Sequence, residues 1–215
     1  MPRTTSTAKE TPASTKARIL RAAEQVFAER GFDGSSTREI AAHAGVNISS
    51  LHYHWASKET LYLAVFRDVF ERLVAHLQTS ITTLLARESD RNVVVDKVMS
   101  ALIDFFADHP TVPRLLVRRI VDAEGEGPGI EREVLVPAWD VFASWLARLD
   151  AGLSDRDARL FMLSMFSVLV MYLLDSPVYR SLLGASVHDP SMREAVRRHV
   201  VGLVRGAMPG RAERA

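Results

Sequence analysis

From Leu61 to Leu85 the chain keeps one apolar stripe without a break. Leu61, Val65, Phe66, Val69, Leu73, Leu77, Ile81, Leu84 and Leu85 recur at three- and four-residue spacing, the period of a helix buried along one side. Such a segment makes about seven turns. A rod that long leaves the small unit in which it starts and enters whatever follows. The rest of the chain reads in the same way. Helical patterns cover roughly 15–30, 36–44, 48–55, 92–108, 111–123, 129–149, 155–175 and 190–207. Breaks fall at Pro110, at the acidic glycine-rich loop 124–129, at Gly152 and at Ser176-Pro177. Pro137 lies inside one pattern and is expected to kink or split it. No run alternates apolar and polar residues as a half-buried strand would, and no internal repeat is visible. The predicted fold class is all-α, with about nine helices.

Composition narrows the reading. The chain has 215 residues, 47% of them hydrophobic, enough for one large core or for a small domain attached to a larger one. It has no cysteine, which excludes a disulfide scaffold and a thiolate metal site. The formal net charge is only +1, but a nucleic-acid binder needs basic groups on one face rather than throughout. Residues 1–60 hold eight Lys/Arg against six Asp/Glu. The first residues are polar and lack the apolar stretch of a signal peptide. The most apolar stretch, Leu160 to Leu174, is too short to cross a bilayer and contains Ser164 and Ser167. A cytoplasmic protein without a membrane partner is expected.

Three short helical patterns precede the long rod. In the first, Ile19, Leu20, Ala23, Val26 and Phe27 form a stripe that Ser14 or Thr15 caps and Gly31 ends. The second opens at Ser36 or Thr37, with Glu39 at capping-box spacing. Gly45 follows, where a tight turn needs a positive φ. The third starts at Asn47. Helix, short helix, glycine turn, short helix is a helix-turn-helix arrangement. Ile40, Val46, Leu51 and Trp55 are read as its core.

Here the segment Ile19 to Leu61 resembles the DNA-binding head of the tetracycline-repressor (TetR) family. The matching features are Ile19-Leu20, Ala22-Ala23, Phe27, Arg30-Gly31-Phe32, Thr37, Ile40-Ala41, Ala44-Gly45-Val46, Ser50-Leu51, Tyr53-His54-Trp55 and Ser57-Lys58-Glu59-Thr60-Leu61. The resemblance implies that Thr37 and Arg38 contact backbone and bases. It places Asn47, Ile48, Ser49 and Ser50 toward base edges, Tyr53 and His54 toward bases or phosphates, and Lys58 on a phosphate. Trp55 stands where the family usually has phenylalanine, an exchange within the core. His52 stands where it usually has tyrosine, so a phosphate contact there depends on pH. Lys9, Lys16 and Arg18 are an N-terminal arm toward an adjacent groove or a solvated tail.

The resemblance also assigns the body. Residues 160–174 are apolar nearly all round and must be covered on every side. In the family the last two helices form a four-helix dimer interface. The expected contacts are Leu160, Leu163, Val170 and Leu174 on one helix and Val196, Val200 and Leu203 on the other. An effector pocket is expected among Phe105, Phe106, Trp139, Phe142, Trp145, Met162, Met165 and Phe166, with plain core packing as the alternative. Ser164 and Ser167 either orient a ligand there or bond back to their own helix.

The implied division is a disordered arm 1–14, a helix-turn-helix DNA-binding domain 15–60, an effector-binding and dimerisation domain 61–208 and a disordered tail 209–215. The expected function is a ligand-responsive repressor. As a homodimer it binds a palindromic double-stranded DNA operator, and a mostly apolar small-molecule effector releases it. The alternatives are an architectural DNA-binding dimer without an effector and a helical-bundle enzyme. Against the enzyme, the chain has no Glu-x-x-His pair, no H-E-x-x-H, no G-x-S-x-G and no phosphate-binding glycine loop. No cofactor or metal is expected.

Overall fold

The computed structural model of the chain describes residues 14–87, 90–122, 129–149 and 154–207. The expected arm before residue 14, the acidic loop 124–128, Gly152, the tail after 207 and the side chains of Ile81, Leu84 and Leu85 lie outside the described residues. Among those residues every regular element is helical, and there is no strand.

The head comprises α1 (Thr15–Arg30), α2 (Thr37–His43) and α3 (Ile48–His54). The long rod is α4 (Lys58–Arg87), followed by α5 (Arg91–Asp108) and α6 (Thr111–Val121). A π-helical turn (Glu131–Leu135) runs into α7 (Val136–Leu149). The chain then forms α8 (Asp155–Leu173), α9 (Pro177–Leu183) and α10 (Pro190–Ala207).

One break departs from expectation, and another takes a form that periodicity does not specify. Ser176-Pro177 is a start as well as a break. The Ser176 hydroxyl accepts from the Tyr179 amide and Pro177 occupies the first turn, where its missing N–H leaves no bond unmade. The result is α9, a tenth α-helix among the described residues. Pro137 does disturb its helix, through the π turn just before it. There the Val136 amide reaches five residues back to Glu131. That wider register accommodates a residue whose ring crowds the carbonyl four positions earlier.

One buried cluster runs without a gap from Ile19 in the head to Val204 in α10. The boundary near residue 60 is therefore not a gap in packing. Head and body also meet at a polar joint, where α1 packs on both α4 and α6. Glu24 is only 8% exposed. One of its carboxylate oxygens lies 2.5 Å from the Arg72 guanidinium of α4, and the other accepts from the Thr111 hydroxyl at the start of α6. Arg118 of α6 donates to the Glu29 carbonyl at 2.8 Å. Gly31 has φ +72°, and a Cβ there would lie 2.3 Å from the Asp122 carboxylate, so this end of α1 admits only glycine.

A second polar seam joins α5 to α10, which run antiparallel. Asp108 pairs with Arg193 at 3.2 Å, Asp104 with Arg197 at 2.6 Å, and Asp96 with Arg205. Every acid lies on α5 and every base on α10. The missing rung is Ser100 opposite Val201, where Arg197 instead donates to the Ser100 carbonyl.

Tyr62 sits in the head's aromatic cluster, with ring centroids 4.7 Å from Phe27 and 5.0 Å from Phe32 and Phe66. Burial pushes its phenol up to about 12, partly opposed by the charge of Arg119. An unfolded tyrosine titrates near 10. Its contribution to stability is thus complete below pH 10 and is lost as pH rises toward 12, because the unfolded chain gives up its proton first. Tyr62→Phe should therefore lose less stability than the natural chain between about pH 10 and about pH 12 in urea unfolding. Equal losses would show that Tyr62 does not govern the alkaline limb.

Candidate nucleic-acid interface and body cavity

The head builds one outward face because its inward face is saturated. Ser14, Ser36 and Asn47 cap α1, α2 and α3, accepting from the amides of Ala17, Glu39 and Ser50. The capping box at α2 is only half made. Ser36 accepts from Glu39, but the Glu39 carboxylate turns to Arg30 at 2.9 Å. Gly45 has φ +62°, so the turn between α2 and α3 has the left-handed backbone its sequence predicts. Ile40, Leu51 and Trp55 are buried, and Val46 packs against them.

Arg18 is neither an arm nor a tail. Its guanidinium donates to the carbonyls of Ala44 at 2.6 Å and Gly45 at 2.8 Å. It holds the turn against α1. A Cβ on Gly45 would meet that guanidinium at 2.9 Å.

Several predicted contact residues gather on one shallow polar depression: Asn47, Ser49, Ser50, Tyr53 and His54. Thr15 joins them from the start of α1. The sequence signal for Thr15 was ambiguous, because it stands beside the residue that caps α1. Since Ser14 makes the cap, Thr15 remains on the surface. Tyr53 is 86% exposed, with its ring edge-on to His54 at 5.2 Å. Arg38 and His52 are exposed outside this depression, and Thr37 is half-buried as the first residue of α2. Ile48 departs from expectation, since its side chain packs on the head core.

Lys58 is the clearest correction. Its ammonium donates to the carbonyls of Phe32 at 2.8 Å and Ser35 at 3.1 Å, and lies 4.3 Å from the centre of the Phe32 ring. It ties the α1–α2 turn to the start of α4 instead of pointing toward a phosphate. Lys58→Met should lower stability by about 1–2 kcal/mol, the cost of stranding a carbonyl. It should leave the salt dependence of DNA binding unchanged, whereas losing a phosphate contact lowers the slope by about one unit. Urea unfolding and binding at several salt concentrations separate the two roles.

In the body, α4, α5, α7 and α8 line a partly open cavity of about 170 Å³. Phe106, Trp139, Phe142, Trp145, Met162, Met165 and Phe166 line it as expected. So do Leu73, which periodicity marked only as core, and Phe70 and Leu102, which the sequence reading did not single out. Phe105 does not line it. Its ring stacks on His109 at 4.4 Å and packs near His76, because its neighbour Phe106 takes the cavity-facing position on α5. Ser164 and Ser167 also stay out of the cavity, donating to the Leu160 and Leu163 carbonyls at 2.9 Å.

The expected dimer contacts divide. Leu160, Leu163 and Leu203 are exposed, the first two by about half of their surface, and Leu174 is half-buried. Val170, Val196 and Val200 are buried within the chain. The inner stripe of α10 is spent on α5 and α8, which removes those valines from any interface. Among the described residues no single helix is long and apolar enough to cross a membrane, and no cluster of His, Cys, Asp or Glu has the makings of a metal site.

Comparison with known proteins bears on both regions. Residues 19–65 match the family model described as bacterial regulatory proteins, tetR family. The HTH-type transcriptional activator FasR of Mycolicibacterium smegmatis is 26% identical over 72% of this chain and 68% of its own length. The HTH-type transcriptional repressor KstR2 of the same organism is 36% identical, over 34% of this chain and 35% of its own length. A protein from Shewanella sp. PV-4, assigned to the tetR family of transcription regulators, has the same fold. The match has a TM-score of 0.69 and covers 93% of this chain and 100% of the other, at 21% identity. These relatives are regulators of transcription, not enzymes.

Proposed function

We propose that the chain is a regulator of the tetR family, whose model its residues 19–65 match, and that it acts as a ligand-responsive cytoplasmic repressor. It binds a palindromic operator as a homodimer and is released by a mostly apolar small molecule. The observation that carries this reading is the contrast across α3. Leu51 is fully buried while Tyr53, two residues on, is 86% exposed. An aromatic side chain held out in water on a rigid seven-residue helix is poised to reach into a groove.

Tyr53, His54, Asn47, Ser49 and Ser50 are the readers, flanked by Thr37, Arg38 and His52. Residues 15–60 act as the DNA-binding unit and 61–208 as the sensing and pairing unit, although one core joins them. The exposed leucines of α8 and α10 are the surface a second copy covers. Two-fold pairing sets two recognition helices roughly 34–36 Å apart, one turn of DNA. Seated over a promoter, such a dimer blocks it.

Release follows from a population shift. A ligand that prefers a cavity shape found only when the heads are wrongly spaced draws the dimer off DNA. The joint of Glu24, Arg72 and Thr111 supplies the mechanical link. It ties α1 to α4, which helps line the cavity, and to α6, which follows directly on α5.

Selection of binding sites from random DNA tests the reading. An imperfect palindrome with half-sites about one helical turn apart is the expected product. If no sequence is enriched at any salt concentration, the head is not a sequence reader.

A further inference from the structure

Resting on the regulator reading above, we infer that the ligand of the body cavity is a neutral hydrocarbon, of single-ring size or close to it, that enters without carrying a polar group inside. Ligand sites ordinarily pair an apolar wall with a few placed polar groups that orient the ligand. This wall has almost none. Among the described lining residues no side chain is charged, and the only side-chain hydrogen-bonding groups are the indoles of Trp139 and Trp145. Their rings pack on aromatic neighbours, Trp139 on Phe166 at 5.8 Å and Trp145 edge-on to Phe142 at 5.3 Å, and two neutral indole donors cannot replace the hydration of a charged group.

Both hydration and binding follow from that wall. A buried water needs about two to four polar partners, and this wall does not supply them, so water at its inner end is readily displaced by an apolar ligand. A ligand carboxylate or ammonium would give up its hydration without replacement, and a hydroxyl would lose part of its own. A hydrocarbon loses nothing on entry and gains contact with the aromatic wall. Size sets the scale of the buried part of the ligand. A dry apolar cavity of about 150 Å³ elsewhere accepts benzene, and this one holds about 170 Å³. Met99, Met162 and Met165 line it, and thioether side chains adapt to ligand shape. Recognition is thus by volume and apolarity, and several hydrocarbons of one size should bind alike.

The test uses the full-length chain carrying Trp55→Phe, which leaves Trp139 and Trp145 as the only indoles. Ethylbenzene, benzoate and phenethylamine are titrated while tryptophan fluorescence and the melting temperature are followed. Ethylbenzene should quench the fluorescence and raise the melting temperature, with the two charged probes about 100-fold weaker or silent. Met162→Gln, which sets an amide in the wall, should weaken ethylbenzene about tenfold. The inference is overturned if a charged probe binds as tightly as ethylbenzene, or if ethylbenzene has no effect up to its solubility. Operator binding is read separately. Ethylbenzene that binds without loosening DNA refutes release through this cavity and leaves the ligand class standing. A charged probe that binds and loosens DNA does the reverse.

Discussion

Arg72→Met should cost roughly 3 kcal/mol of unfolding free energy, the low end for breaking a buried ion pair from one side. The loss comes from what remains. Glu24 would keep its charge in a nearly buried position, with only the Thr111 hydroxyl to answer it. Asp68 also loses its partner at 2.8 Å, but it is exposed enough for that to count little. The double substitution Glu24→Leu with Arg72→Met should recover most of the loss, because two apolar side chains leave no stranded charge. Urea unfolding of the two variants decides the matter. If the double variant is no more stable than the single one, the joint is held by packing alone. A double variant that folds, binds its operator and no longer responds to ligand would locate the link between cavity and head in this pair.

Tyr53→Ala should leave stability within about 0.5 kcal/mol, since a side chain so exposed contributes little to the fold. Operator affinity should nevertheless fall by roughly 100-fold, because each dimer loses the contact twice and single groove contacts are worth about 1–3 kcal/mol. Binding and unfolding are measured on the same preparation. A loss of affinity that tracks a loss of stability would reassign Tyr53 to the head's own packing, while unchanged affinity would remove it from the interface.

Much of this was legible in the residues. Caps, turns and apolar stripes announce themselves locally, so Gly31, Gly45, Ser36 and Asn47 stand where the sequence places them. Seven of the eight expected cavity residues share one wall, because aromatic and methionine side chains at helical spacing define a face. What sequence could not resolve was the choice between two partners for one group. Lys58 is long enough to reach outward or inward, and the carbonyls of Phe32 and Ser35 that capture it lie more than twenty residues away. Val196 and Val200 form an apolar stripe that a second subunit or the chain itself can cover, and periodicity reads the same in both cases. Phe105 and Phe106 are adjacent, so one had to face away from the cavity, and composition does not say which. The helix α9 escaped because seven residues are too few to show a period, and its opening proline also signals an end.

The uneven rungs between α5 and α10 have a mechanical consequence. Their acids and bases repeat every four residues except at Ser100 and Val201. Suppose α10 slid by one turn along α5. Arg193 would meet Asp104, but Arg197 would face Ser100 and Asp96 would face Val201. A slide the other way likewise keeps one pairing and forfeits two. An evenly spaced row would tolerate such slippage, whereas the gap makes one alignment better than its neighbours. The two helices therefore travel together, as parts keyed to a single shaft. A displacement of α5 beside the cavity should therefore carry α10 with it, some distance from where it began.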